Sequence, residues 1–160
     1  MRWLSLLVAL REWTESDPLF APLITHADGK VMTGIGFPGA AKAPCVWYTR
    51  GPQGEKNLAL NVLPECLPGA LLVNAELWAK IPVVTTMTEE AKLLAAYQAL
   101  SDFEDAWFAS VRRFFAPTRA LSGILGGYYS ASISTAVPLA SEAPGGQFGS
   151  LYTIAMNLQE

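Results

Sequence analysis

Ala70-Leu71-Leu72-Val73-Asn74-Ala75-Glu76-Leu77-Trp78-Ala79 is the stretch on which the fold turns, because it can be read two ways. Leu, Ala and Glu all form helices well. With a period of two, however, Leu71, Val73, Ala75, Leu77 and Ala79 fall on one side and Leu72, Asn74, Glu76 and Trp78 on the other. Pro68-Gly69 interrupts the chain just before it. Read as a strand, it makes the chain an α+β protein with a sheet at its centre.

Further strands lie on either side. Cys45-Val46-Trp47-Tyr48-Thr49 is a strand core between Pro44 and Gly51-Pro52. Residues 57–63 alternate, with Leu58, Leu60 and Val62 on one face. Residues 128–137 set Ser130, Ser132 and Ser134 against Tyr129, Ala131, Ile133, Thr135 and Val137, one hydroxyl-rich face and one apolar. Residues 142–149, with Pro144-Gly145-Gly146, read as a loop. Residues 151–158 read as the last strand, with Tyr152, Ile154, Met156 and Leu158 toward the core.

Two helices complete the pattern. Trp3, Leu6, Leu7, Leu10 and Trp13 recur at helical spacing, predicting a helix over residues 3–15 that stops before Pro18. Residues 19–24 are a connection or short strand, residues 26–30 a turn around Asp28-Gly29, and residues 30–35 a strand that breaks into an irregular, glycine- and proline-rich loop over 34–44. The central helix is expected to be capped by Thr86 with Glu89 three residues on. Leu93, Tyr97, Leu100, Glu104, Trp107, Val111 and Phe114 form its apolar stripe, and Pro117 closes it. Ser101-Asp102-Phe103-Glu104 is a second capping signature, so one helix or two remain open. Residues 1–160 are thus expected to form a single two-layer α+β domain. An N-terminal helix and a long central helix would cover one face of a mostly antiparallel sheet. The other face would need a cover, such as a neighbouring copy.

Composition bears on function. Hydrophobic residues make up 51% and charged residues only 16%, which argues against disorder and against a solitary, highly solvated surface. Net charge is -3 with no Lys/Arg cluster, so no nucleic-acid footprint is expected. After Arg119 the only charges are Glu142 and Glu160. The opening apolar run is followed at once by Arg11-Glu12, unlike a signal peptide, and no apolar stretch is long enough to span a membrane. Cys45 and Cys66 are expected as free, buried thiols, with a disulfide left open.

Catalytic patterns are weak. His26 is the single histidine, and its spacing to Cys45 and Cys66 fits no metal motif. No Gly-x-Ser-x-Gly elbow, P-loop or dinucleotide fingerprint is present. Glu104, on the apolar stripe, could be a hidden acid but more often such a group has a tertiary or intersubunit partner. Trp47, Trp78 and Trp107 are expected to knit the core. No enzyme activity, cofactor or metal is therefore expected.

The helix Trp3-Leu4-Ser5-Leu6-Leu7-Val8-Ala9-Leu10, the segment Leu71-Leu72-Val73-Asn74-Ala75-Glu76-Leu77-Trp78, the helix after Thr88 and the end strand Leu151-Tyr152-Thr153-Ile154-Ala155-Met156-Asn157-Leu158 follow one another in a telling order. That order resembles the tail terminator and tail-completion proteins of tailed bacteriophages. Those are small α+β subunits that form hexameric rings at the head-proximal end of the tail tube, where they stop its growth and join it to the head. The resemblance covers most of the chain as topology and contains no specific motif. The glycine- and proline-rich residues 34–44 and the lack of positive charge after Arg119 depart from it.

The resemblance implies a homo-oligomeric ring, other tail or neck proteins as partners, and a place in the virion after assembly in the host cytoplasm. A ring needs two different surfaces on each subunit. The loop 34–44 with Phe37 and the strand around residues 128–134, with Tyr128 and Tyr129, are expected to form one. The helix end with Arg112, Arg113, Phe114 and Phe115 would form the other, with Trp3 or Trp13 expected at a contact edge. The alternative function is a small adaptor or apolar-ligand-binding module.

Overall fold

In the computed structural model, residues 2–37, 43–55, 70–82, 88–116, 128–140 and 148–159 are described. Helix α1 (Arg2–Ser16) is followed by a short 3-10 turn (Ala21–Ile24), strands β1 (Thr33–Ile35), β2 (Cys45–Glu55) and β3 (Ala70–Ala79), helix α2 (Glu89–Phe114), and strands β4 (Tyr128–Ala140) and β5 (Phe148–Gln159). The sheet order is β1-β2-β3-β5-β4; β1 runs parallel to β2 and every other pair is antiparallel. The architecture is the expected two-layer α+β fold.

β3 occupies the bounds read from its alternation and sits at the centre of the sheet. Leu71, Val73, Ala75, Leu77 and Ala79 are buried toward the helices. Register aligns Val46 and Tyr48 of β2 with Leu77 and Ala75, and Tyr152, Ile154 and Met156 of β5 with Ala75, Val73 and Leu71. Leu6, Leu7 and Leu10 of α1 and Leu100, Phe103, Trp107, Val111 and Phe114 of α2 close the core above them.

α1 ends where the sequence predicts. Pro18 cannot continue the helix, and the Asp17 carbonyl instead accepts the Phe20 and Ala21 amides that open the 3-10 turn. Residues 19–24 are therefore not a strand. The turn at 26–30 forms as expected, with the Gly29 amide donating to the His26 carbonyl and Gly29 at a φ of 81° that suits glycine.

α2 is one continuous helix. Thr88, not Thr86, caps it: the Thr88 hydroxyl accepts from the Ala91 amide at 3.2 Å, and Thr86 lies outside the described residues, as does Pro117. The inner capping signature does not break the helix, because Glu104, the acid that would close the box, is engaged instead by Ser150 and Tyr152 of β5. The buried stripe begins at Ala96 and includes Phe103 and Ser110, whereas Leu93 and Tyr97 are exposed.

The outer face of the sheet differs from expectation. Trp47 and Trp78 lie there rather than in the core, leaving Trp107 alone of the three in it. Each indole spreads over a glycine on the neighbouring strand. A Cβ on Gly34 would come within 2.8 Å of Trp47 ring atoms, and one on Gly149 within 2.9 Å of Trp78 ring atoms. The face is partly covered by its own side chains. The alternation of β4 also breaks: Ser134 pairs with Thr153 but Val137 with Leu151, so an extra residue forms a bulge. Val137 thus leaves the Ala131–Ile133 face and stands exposed. The alternating residues 57–63 lie outside the described residues, and Phe148 and Gly149 belong to β5 rather than to a loop.

Candidate functional site

Two regions gather polar or aromatic groups. The first ties the ends of both helices to the sheet. Asp17, 1% exposed, accepts from the Ser110 hydroxyl at 2.5 Å, the Arg113 guanidinium at 2.6 Å and the Leu19 amide at 3.1 Å. Burial alone would push its carboxyl up, but the hydrogen bonds from Ser110, Arg113 and Leu19 and the Arg113 charge hold it below its usual range. The Trp13 indole donates to the Ser110 carbonyl at 3.0 Å, and Thr14, Tyr48 and Trp107 form a second buried chain of hydrogen bonds. Burial pushes the Tyr48 phenol up to about 12, so it stays protonated at neutral pH. These groups bond one another, with the buried Nε of Arg113 left without a partner, and their role is to lock α1, α2 and β2 together.

The residues weighed for chemistry are dispersed. His26 Nε2 lies 3.0 Å from the Pro44 carbonyl. Cys45 is a free, buried thiol whose pKa burial raises to about 12, which leaves it protonated; Cys66 lies outside the described residues. Glu104 finds its partners on β5, accepting from the Ser150 hydroxyl at 3.0 Å and from the Tyr152 hydroxyl. Burial raises its pKa, the Ser150 hydrogen bond opposes the shift, and Asp105 adds to it. Among the described residues no three His, Cys, Asp or Glu side chains cluster as metal ligands, and no helix is long and apolar enough to cross a membrane.

The second region is an open groove of about 500 Å³ between the C-terminal half of α2 and the β4–β5 hairpin. Phe108, Val111 and Phe115 wall it on the helix side, and Ala131, Ile133, Tyr152 and Ile154 on the sheet side. It exists because α2 packs over β3 and β5 and stops short of covering β4, the last strand of the sheet. Phe108 and Tyr152 meet edge to face at 4.9 Å, which fixes that part of the wall. Arg112 is the single charged residue in the lining, and it is exposed with no ion pair among the described residues. β4 itself carries no charged residue from Tyr128 to Ala140, and its edge is interrupted by the bulge after Ser134 and by Pro138 rather than by charge.

The expected contact residues divide between these regions and the far edge. Arg112 and Phe115 meet the strand segment 131–134 in the groove, although they were expected on a different surface from it. Phe37 follows β1, at the opposite edge of the sheet, so it cannot share a surface with Tyr128 and Tyr129. The backbone of those two tyrosines lies in β4 and their side chains are outside the described residues. Phe114 is fully buried and offers no contact area in the subunit. Arg113 is engaged by Asp17, Trp13 by Ser110, and Trp3 packs on the core with Arg50 4.9 Å above its ring.

Sequence reasoning missed Asp17, Ser110 and Phe108. Of these, only Phe108 left a signal, as a flank of the helical stripe. No protein-family model matches the chain, and neither a curated protein nor a solved structure matches it.

Proposed function

We propose that the chain is a structural subunit that joins copies of itself into a ring, in the manner of phage tail terminator and head–tail joining proteins, and is not an enzyme. The observation that supports this reading is the chemical difference between the two edges of one sheet. At one edge, Ile35 and Phe37 are exposed apolar side chains; at the other lie an uncharged strand and an apolar groove. β1 and β4 are separated by four strand spacings, about 19 Å. A subunit with different, non-overlapping surfaces on opposite sides associates head to tail, and such contacts close into rings when the rotation allows.

The phage setting rests on the order of elements, which resembles that family over most of the chain. In that setting the ring caps the tail tube and meets the neck, its partners are other tail or neck proteins, and it resides in the virion. Negative-stain electron microscopy of the purified chain tests the reading. Closed rings of uniform diameter are the expected image, and a field of single subunits contradicts it.

A further inference from the structure

We propose that the groove between α2 and β4 receives Phe37 from a second copy of the chain. This rests on the reading of the chain as a ring-forming subunit and names the junction that would build the ring. Among the described residues Phe37 is the most exposed large apolar side chain, at 84%. Ile35, two residues earlier on β1, is 41% exposed. The chain's own groove lies at the other end of the sheet, so this ring can be buried there only by another molecule.

The groove has the properties such a ring needs. Its volume of about 500 Å³ accommodates a phenyl group with the residues flanking it. Phe108, Phe115, Val111 and Ile133 offer aromatic and aliphatic contact, and edge-to-face packing of a third phenyl against Phe108 or Phe115 is favourable. Arg112 stands at the lining with no ion pair among the described residues, and a guanidinium attracts the face of an aromatic ring. β4 brings no charge that would repel an approaching edge. Knob and groove lie at opposite ends of the sheet, so different neighbours can occupy them in a head-to-tail contact. Such a contact repeats from subunit to subunit, as a ring requires.

The test uses two single variants, each damaging one half of the junction at an exposed position. Phe37→Asp removes the knob, and Ala131→Arg places bulk and a second positive charge in the groove beside Arg112. Circular dichroism is expected to match wild type for both, showing that the fold is kept, whereas their melting is expected to lose the wild type's dependence on concentration. Losing a buried phenyl weakens each junction roughly ten- to a hundredfold, so each variant alone is expected to run as a monomer. Mixed in equal amounts, they are expected to form a two-subunit species, because the intact Phe37 of one fits the intact groove of the other. A Phe37→Asp variant that keeps the wild-type oligomer overturns this junction while leaving the ring reading standing. A mixture that stays monomeric overturns the junction as well. A wild-type chain that is itself monomeric overturns both. An apolar fluorescent dye supplies a further readout: Phe37→Asp should bind it in the emptied groove, and Ala131→Arg should not. Equal binding by assembled wild type would mean the groove serves a small molecule, and would overturn the proposal.

Discussion

The two ends of the helix layer are built differently. Where α1 and α2 meet β2, buried polar groups are paired across the elements: Asp17 with Ser110 and Arg113, Thr14 with Tyr48, and Tyr48 with Trp107. Where α2 faces β4, the aromatic wall of Phe108 and Phe115 looks onto an open groove. The first arrangement is expensive to disturb, since each lost partner strands a desolvated group. The second leaves apolar surface that folding of the single chain does not use. One end thus holds the subunit together, and the other is free for contact with neighbours.

Substitutions should separate the two. The largest effect is expected for Trp107→Ala, which removes a fully buried indole and its hydrogen bond to Tyr48; a loss of about 3–5 kcal/mol should appear in urea unfolding. A loss below about 1 kcal/mol would show that this end is not the anchor. Asp17→Asn should cost about 2–3 kcal/mol at neutral pH, because Arg113 and Ser110 lose a charged acceptor.

The same residue gives a pH signature. The Asp17 pKa is lower in the folded than in the unfolded chain, so its contribution is complete above the unfolded value of about 3.9 and lost as pH falls through the folded one. Asp17→Asn should flatten stability against pH in that acid window. Glu104 has the opposite sign. Its raised pKa favours the folded state below the unfolded value of about 4.3, and that gain is lost as pH rises through the folded value. Glu104→Gln should remove this slope while changing neutral stability by less than about 1 kcal/mol, since the amide can still bond Ser150 and Tyr152. At the groove, Ala131→Arg should shift subunit stability within about 0.5 kcal/mol. A larger loss would mean that this surface also supports the fold.

The difference between the two ends also explains what the sequence could reveal. β3 was legible to its ends because period-two alternation coincides with Pro68-Gly69 before it. The core side of β5 was legible for the same reason at Tyr152, Ile154 and Met156. The strand order was not, since β3 pairs with β5 across the whole of α2 and no local pattern encodes that. Nor did alternation reveal which side of β2 is inward: Val46 and Tyr48 face the helices, but Trp47 is as apolar as either. The bulge after Ser134 moved Val137 off the expected face; Pro138, inside the strand just after it, marks an edge or a bulge without telling which residue is inserted. The Asp17 network was hidden because its members are 93 and 96 residues apart. Arg112 and Phe115 were foreseen as contact residues, but their meeting with strand segment 131–134 follows from the unforeseen order of strands.

The account turns on whether the uncovered β4 edge and groove are a contact between copies. Sedimentation of the wild-type chain over a wide range of concentrations tests this most directly. The predicted result is a discrete multiple of the 17.2 kDa subunit that dissociates only on dilution. A mass of one subunit at every concentration would contradict it.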